Sequence, residues 1–455
     1  MEALLYLVGV LLAIIGIGLS IGLHEVGHLV PAKRAGVKVT QYMIGFGPTL
    51  WSRRGAETEY GVKAIPLGGY IRMIGMYPPP HGAPEGTAGR GTTGRFQALA
   101  EEAREAAWEE VAPGDEQRVF YRQRVATKVR IMLGGPTMNL LIAIFLFTVL
   151  LVGIGVPTPT TTVAHVYPCV PPSMSSAAAA EAALADTSSA ASDGEGCPAD
   201  ALPAPAVAAG IQPDDVIVSI DGEPVSEWTQ LTEVTRGAPG ETVTLGVQSP
   251  SGEVSQVAVP LATAYRPTLD ADGMPTDQIV ATGYLGIAPL TEYVSQPWSS
   301  VPTTMWDISV RSAQALLTLP ARVVDLAQDM LAGEDRDPES PVSVVGVGRI
   351  SGEVAAAEQP LLAKTATLVS LLAGLNLFLF LFNLVPLLPL DGGHVAGALW
   401  EGLRRWLARL RGRPDPGPVD VSRALPVAYA VAVALIALSS VVILADVINP
   451  ISIYG

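Results

Sequence analysis

The feature that most constrains this chain is a run of apolar residues without a single charge, from Ala3 to Leu23. About 20 such residues are what a helix needs to cross the hydrocarbon core of a bilayer. The run leads directly into His24-Glu25-Val26-Gly27-His28. If the helix continues, His24 and His28 lie one turn apart on one face. Two imidazoles so placed can share one metal ion, and Glu25 can lie beside the water that such an ion activates. The spacing suits zinc, Zn2+, with one coordination position left open for water. The bare pattern also occurs on ordinary soluble helix surfaces. Here the ionisable residues adjoin a lipid-embedded segment, where they are costly and by default functional.

Three further segments share this apolar character. Membrane spans are expected at 1–33, 129–156, 361–394 and 424–449 of the 455 residues. The first lacks a basic leading region and a small-residue cleavage site, so it reads as an anchor and not as a signal peptide. Charge sets the orientation. Residues 31–130 carry fifteen Lys/Arg against ten Asp/Glu, and residues 157–360 carry six against twenty-six. Six arginines fall between Arg404 and Arg423. The positive-inside rule then puts 34–128 and 395–423 in the cytoplasm, and 157–360 and both termini outside. The net charge of −15 arises from the outer region and argues against nucleic acid as a partner.

Between the first two spans, Lys38–Ile44 and Glu59–Ile65 read as short strands. Gly45-Phe46-Gly47-Pro48 follows the first, and Pro66-Leu67-Gly68-Gly69 follows the second. One reading is a membrane-associated β-hairpin or small sheet beside the metal, whose edge can pair with an extended substrate. The other is an ordinary amphipathic cytoplasmic sheet. A flexible loop is expected at 78–95, with a solvated His81, and a surface helix at 96–111. The second span opens Gly134-Gly135-Pro136-Thr137-Met138-Asn139, which allows close helix packing and buries an amide at Asn139.

The outer region divides into a loop at 157–202, a compact module at 203–265 and a stretch at 266–360. The loop holds Cys169 and Cys197, the only cysteines, which form a candidate disulfide across a Ser/Ala-rich stretch; two free thiols are the alternative. In the module, Val216–Ile220, Thr242–Gln248 and Val254–Pro260 read as strands, and Asp221-Gly222 as a hairpin turn. Ser226–Arg236 reads as a helix capped by Ser226. With Gly210-Ile211-Gln212-Pro213-Asp214-Asp215, this order resembles a bacterial PDZ domain, a fold that captures peptides by strand addition. Residues 301–331 read as an amphipathic helix on the outer membrane surface.

The third span ends Asn383-Leu384-Val385-Pro386-Leu387-Leu388-Pro389-Leu390-Asp391-Gly392-Gly393-His394. It runs inward like the first span, so Asp391 arrives at the depth of His24 and His28 and can be a third zinc ligand. Pro386 and Pro389 break the helix, which is tolerated at membrane depth where protein buries the freed backbone. Asn383 can donate a hydrogen bond to a substrate carbonyl or developing oxyanion. His394 reads as a support or cap, not as a ligand.

These stretches occur together in one order: His24–His28, Gly45–Pro48, Ile65–Tyr70, Gly135–Asn139 and Asn383–Gly393. The chain thereby resembles the site-2 protease family of intramembrane zinc metalloproteases, in its bacterial single-PDZ form. The resemblance implies a polytopic α-helical membrane protein with four transmembrane helices, a membrane-associated β-hairpin or sheet and an inserted extracytoplasmic α/β PDZ domain. It implies regulated intramembrane proteolysis of single-span proteins already trimmed outside, anti-sigma factors being the type, in the bacterial cytoplasmic membrane with the site near its inner side. Zinc would be held by His24, His28 and Asp391, with Glu25 as the catalytic base. Asn383, Asn139, Gly45, Phe46, Gly47, Pro66, Gly68 and Gly69 would contact substrate. The lipid bilayer and a peptide or substrate ectodomain at the PDZ module would be the other partners. The long insert with Cys169 and Cys197 departs from the family pattern.

Two other classes stay open on the sequence. A membrane scaffold with a purely structural zinc site predicts that Glu25→Gln changes nothing. A zinc transporter predicts polar residues at mid-membrane in several spans, and these spans are apolar.

Overall fold

The structure, a computed structural model, describes residues 1–78, 109, 111–185, 197, 201–269, 275–333, 336 and 340–451. The chain forms two compact units, one of residues 1–154 and 296–455, the other of residues 155–295. The expected loop with His81, and nearly all of the helix expected at 96–111, lie outside the described residues.

Helix α1 (Glu2–Arg34) runs unbroken for 33 residues through the apolar run and both histidines. Lys33 and Arg34 close it, where cations suit the negative end of the helix dipole. Strands β1 (Val39–Arg54) and β2 (Glu59–Met73) then pair antiparallel. Both are longer than the sequence predicts. Gly45-Phe46-Gly47-Pro48 and Pro66–Gly69 turn the chain back on itself, as the sequence predicts. Gly45 and Gly68 have φ of 92° and 131°, which glycine adopts without a Cβ clash. Residues 39–44 lie between two partners, pairing Ile44 with Gly69 on one edge and with Val62 on the other, and residues 59–62 pair on their far edge with Trp51 through Arg54. Helices α2 (Val125–Met132) and α3 (Gly134–Thr148) are separated by Leu133 alone, and α3 continues as a π-helical stretch, Val149–Ile154.

The inserted unit is built on a sheet of order β10-β3-β4-β6-β7, with β5 paired to β4. Its members are β3 (Val156–Val166), β4 (Val216–Ile220), β5 (Glu223–Pro224), β6 (Thr242–Gln248), β7 (Val254–Pro260) and β10 (Ile287–Val294). Strands β8 (Ala262–Leu269) and β9 (Pro275–Tyr284) form a separate pair. Helix α4 (Trp228–Gly237) packs Leu231 into a core with Ile217, Ile220, Val243, Leu245 and Val259. The unit extends beyond the 203–265 module at both ends. Pro157 and Pro159 in β3 hide its strand character, because proline removes a ladder donor. Ser226 does not cap α4. Glu227 does, accepting from the Gln230 backbone while Gln230 Oε1 accepts from Glu227 N at 3.1 Å. This reciprocal pairing satisfies two otherwise orphaned N–H groups, which a lone serine does not. A disulfide joins Cys169 to Cys197, with Cα atoms 6.0 Å apart.

Five helices complete the first unit: α5 (Ser300–Ala332), α6 (Val344–Ala356), α7 (Leu361–Asn383), α8 (Asp391–Leu410) and α9 (Leu425–Ile448). The span expected at 361–394 stops at Asn383, and Asp391 opens a new helix instead of ending that span. Helix α8 occupies much of the loop expected at 395–423. Helix α6 was hidden by its glycines, yet close contact defines its place: a Cβ at Gly9 of α1 would overlap Ser351 O. α1, α3 with its π-helical extension, α7 and α9 are long and apolar enough to cross a membrane. Only 17–22% of each apolar window is buried inside the protein, which leaves lipid to cover the rest.

Two buried ion pairs tie these helices. Arg336 Nη1 meets Asp446 Oδ1 at 2.7 Å, and Asp446 Oδ2 accepts from Ser343 N and Gly346 N at 2.7 and 3.1 Å. Lys128 Nζ on α2 meets Glu401 Oε2 on α8 at 2.8 Å, and Val419 N donates to the same oxygen at 3.1 Å. Burial pushes the Lys128 ammonium below the usual lysine range, and the Glu401 carboxylate offsets only part of that shift. Removing one partner leaves a buried charge, at a cost of about 3–5 kcal/mol, whereas replacing both with apolar groups costs far less. Glu401 also pairs with Arg405 Nη2 at 3.1 Å, so the charge that can be stranded is that of Lys128, and we expect Glu401→Leu to lower stability in a denaturant titration of the detergent-solubilised chain by more than Lys128→Met/Glu401→Leu does.

Candidate metal centre

α1 presents His24 and His28 one turn apart, and α8 presents Asp391 from its first residue. His24 Nε2 and His28 Nε2 are 3.2 Å apart, and Asp391 Oδ2 lies 3.4 Å from the first and 3.3 Å from the second. Zinc bonds of about 2.0–2.1 Å at tetrahedral angles put donor atoms about 3.3 Å apart. The three atoms therefore outline one face of a zinc-sized tetrahedron.

The surroundings fix this arrangement. His28 Nδ1 is 2.8 Å from Ile131 O at the end of α2. A carbonyl only accepts, so Nδ1 carries the proton and the Nε2 lone pair faces the site. α1 and α3 cross with their backbones in contact: a Cβ at Gly27 would overlap Gly134 O, and one at Gly134 would overlap Gly27 O. Gly135 forms the adjoining wall. A Cβ there would overlap His28 Nε2 and lie 2.6 Å from His24 Nε2. Gly392 lets the first turn of α8 rest on the segment before it, since a Cβ there would overlap Val385 O.

These residues fit a cation. Asp391 Oδ2 is buried and accepts no hydrogen bond. It stands opposite two imidazole nitrogens at the separations adopted by donors that share one ion. A divalent ion at their centre would take a lone pair from each of the three. His24, His28 and Asp391 also form the one group of three or more metal-ligating side chains among the described residues.

Glu25 is buried next to the two histidines, with β2 packed against its side chain. Gly69 makes this approach possible, because a Cβ there would lie 2.9 Å from Glu25 Cγ. Tyr42 of β1 adds a hydrogen bond from its hydroxyl to Gly22 O at 2.7 Å. The bent strands are thus docked on α1 at the level of the histidines.

The other residues singled out from the sequence fall as follows. Gly45, Phe46 and Gly47 occupy the bend of β1, with Phe46 stacked on Tyr70 at 6.2 Å between centroids. Pro66 and Gly68 form the matching bend in β2, and a Cβ at Gly68 would lie 2.7 Å from the Phe46 ring. Asn139 is buried one turn beyond Gly135, and its Oδ1 has no hydrogen-bond partner. Asn383 ends α7 and donates from Nδ2 to Leu379 O at 3.0 Å.

Sequence reasoning missed Ser20 and Asn376. Both are buried, and Asn376 Nδ2 donates to Ser20 Oγ at 3.0 Å, joining α7 to α1 one turn before His24. Two polar residues inside apolar runs were the available signal. The role of Gly135 was also missed, because a glycine's contribution is the space it leaves.

Comparison with known proteins agrees with this geometry. The sequence model described as Peptidase family M50 matches residues 12–413. The chain is 31% identical over 457 aligned residues to the zinc metalloprotease Rip1 of Mycobacterium tuberculosis, covering 99% of this chain and all of that protein. It is also 31% identical to the zinc metalloprotease Rip1 of Mycolicibacterium smegmatis, over 98% of this chain and 99% of the other.

The wall at Gly135 yields a test. Gly135→Ala should place its methyl group where the ion must sit. Zinc affinity, measured by chelator competition on the purified chain, should fall by more than the roughly 10–100-fold typical of a lost supporting hydrogen bond. Far-UV circular dichroism should show the helices intact.

Proposed function

From the premise that the chain belongs to peptidase family M50, the site-2 proteases, and is a zinc metalloprotease, we propose that it cuts single-span membrane proteins within the bilayer. The substrates are proteins whose outer domains have already been trimmed, with anti-sigma factors as the type. The observation that carries this reading is the triad of His24 Nε2, His28 Nε2 and Asp391 Oδ2, 3.2–3.4 Å apart, at the end of an apolar helix long enough to span a membrane.

In this reading His24, His28 and Asp391 hold zinc, which supplies Lewis acidity that activates water and polarises a carbonyl. Glu25 is the general base. Its carboxylate takes a proton from the attacking water and returns it to the departing amide nitrogen. The close packing of Gly69 against Glu25 Cγ holds that side chain beside the two histidines. A helical substrate has its carbonyls satisfied internally, so it must unwind before attack. The edges at Gly45–Gly47 and Pro66–Gly69 offer replacement backbone partners as it does. Asn383 steadies the substrate carbonyl with the amide that otherwise bonds to Leu379 O, and Asn139 offers a second amide whose Oδ1 is free to accept from substrate.

The module at 203–265 acts as a PDZ domain that keeps untrimmed ectodomains away. Its sheet-and-helix build supports that role, as does the acidic, disulfide-bearing character of the region around it. By charge, the unit and both termini face outward from a bacterial cytoplasmic membrane, and the metal site lies near the inner side.

Purified chain in liposomes, given a trimmed single-span substrate, tests the reading. Glu25→Gln should keep its zinc and lose about 10²–10⁴-fold in cleavage rate, the range attributed to a positioned general base. Undiminished cleavage by Glu25→Gln would remove Glu25 from the mechanism.

A further inference from the structure

Helix α8 carries a second surface, away from the metal. Its buried side holds Gly392, Gly393, Ala398 and Glu401. Glu401 faces Lys128, and a Cβ at Gly402 would lie 3.2 Å from Val125 of α2. The opposite side carries Leu399, Trp400, Leu403, Trp406 and Leu410, each between 44% and 65% exposed. The steps from 399 to 403, 406 and 410 are four, three and four residues, the spacing of one helical stripe.

Arginines border that stripe. At about 100° per residue, Arg404 falls on one edge of it and Arg409 on the other. Arg411 and Arg413 follow at the end of the helix. None of these four forms an ion pair among the described residues, whereas Arg405 turns inward to Glu401 and Asp415. The helix connects α7 to α9, two of the helices able to span a membrane, so both of its ends are tethered close to a bilayer.

Exposed leucine and tryptophan flanked by unpaired arginine is the composition of a helix that lies in a membrane interface. Tryptophan favours the headgroup level. Arginine there attracts anionic lipid headgroups. We propose that α8 docks on anionic phospholipid, with its apolar stripe among the acyl chains and Arg404, Arg409, Arg411 and Arg413 on the headgroups. One continuous helix joins this surface to Asp391, its first residue. Lipid seated at the far end therefore steadies the carboxylate that completes the metal site. This second step rests on the metal-site reading above; the docking itself does not.

The test uses the full chain in phosphatidylcholine vesicles, with or without phosphatidylglycerol. Brominated phosphatidylglycerol or brominated phosphatidylcholine serves as quencher. The signal of interest is the tryptophan fluorescence lost in Trp400→Phe/Trp406→Phe. We expect brominated phosphatidylglycerol to quench it several-fold more strongly than brominated phosphatidylcholine. Raising salt, or replacing the four arginines with glutamine, should abolish that preference. Equal quenching by both lipids in the wild-type chain overturns the docking, whatever the fate of the variants. For the coupling, zinc loss to a chelator should be several-fold slower in vesicles containing phosphatidylglycerol. A rate indifferent to lipid overturns the coupling. Failure to bind zinc in any vesicle instead overturns the metal site itself.

Discussion

Everything in the first unit depends on bringing three electron-pair donors within about 3.3 Å of one another. His24 and His28 come from α1 and Asp391 from α8, so the protein must hold two separate helices together at that separation. The means are backbone contacts. Gly27 and Gly134 let α1 and α3 touch, and the Ile131 carbonyl fixes the tautomer of His28. Gly392 seats the first turn of α8 on the segment that follows α7. Each of these is a contact between rigid helices, which is what a precise metal geometry requires.

The same reasoning explains the polar residues buried among apolar helices. Asn376 and Ser20 bond across α7 and α1 one turn from His24. Lys128 and Glu401 join α2, which supports His28, to α8, which begins with Asp391. Arg336 and Asp446 fasten α9 to the start of α6. Such pairs add little net stability over apolar replacements, but each admits one register of the helices it joins. A site built from separate helices needs that registration more than it needs additional burial.

Much of this was legible in the sequence. The apolar runs pointed to the four helices long and apolar enough to cross a membrane. The one-turn spacing of His24 and His28 and the lone carboxylate at Asp391 are local signals, and the structure brings those residues together. What stayed hidden was set by tertiary contact. Prolines concealed β3, and β10 pairs with that strand across a long stretch of sequence. Glycines concealed α6, whose helicity comes from packing on α1. Pro386 and Pro389 marked a helix break, yet nothing local showed that a new helix would start at Asp391. Gly135 matters for an atom it lacks, which no motif spacing reveals.

The central claim is that two imidazoles and one carboxylate hold zinc at the junction of α1 and α8. X-ray absorption at the zinc edge of the purified chain tests it most directly. The account predicts nitrogen and oxygen ligands at about 2.0–2.1 Å, no sulfur, and loss of the bound ion in Asp391→Ala. A sulfur ligand, or an Asp391→Ala chain that keeps its zinc with an unchanged spectrum, would contradict it.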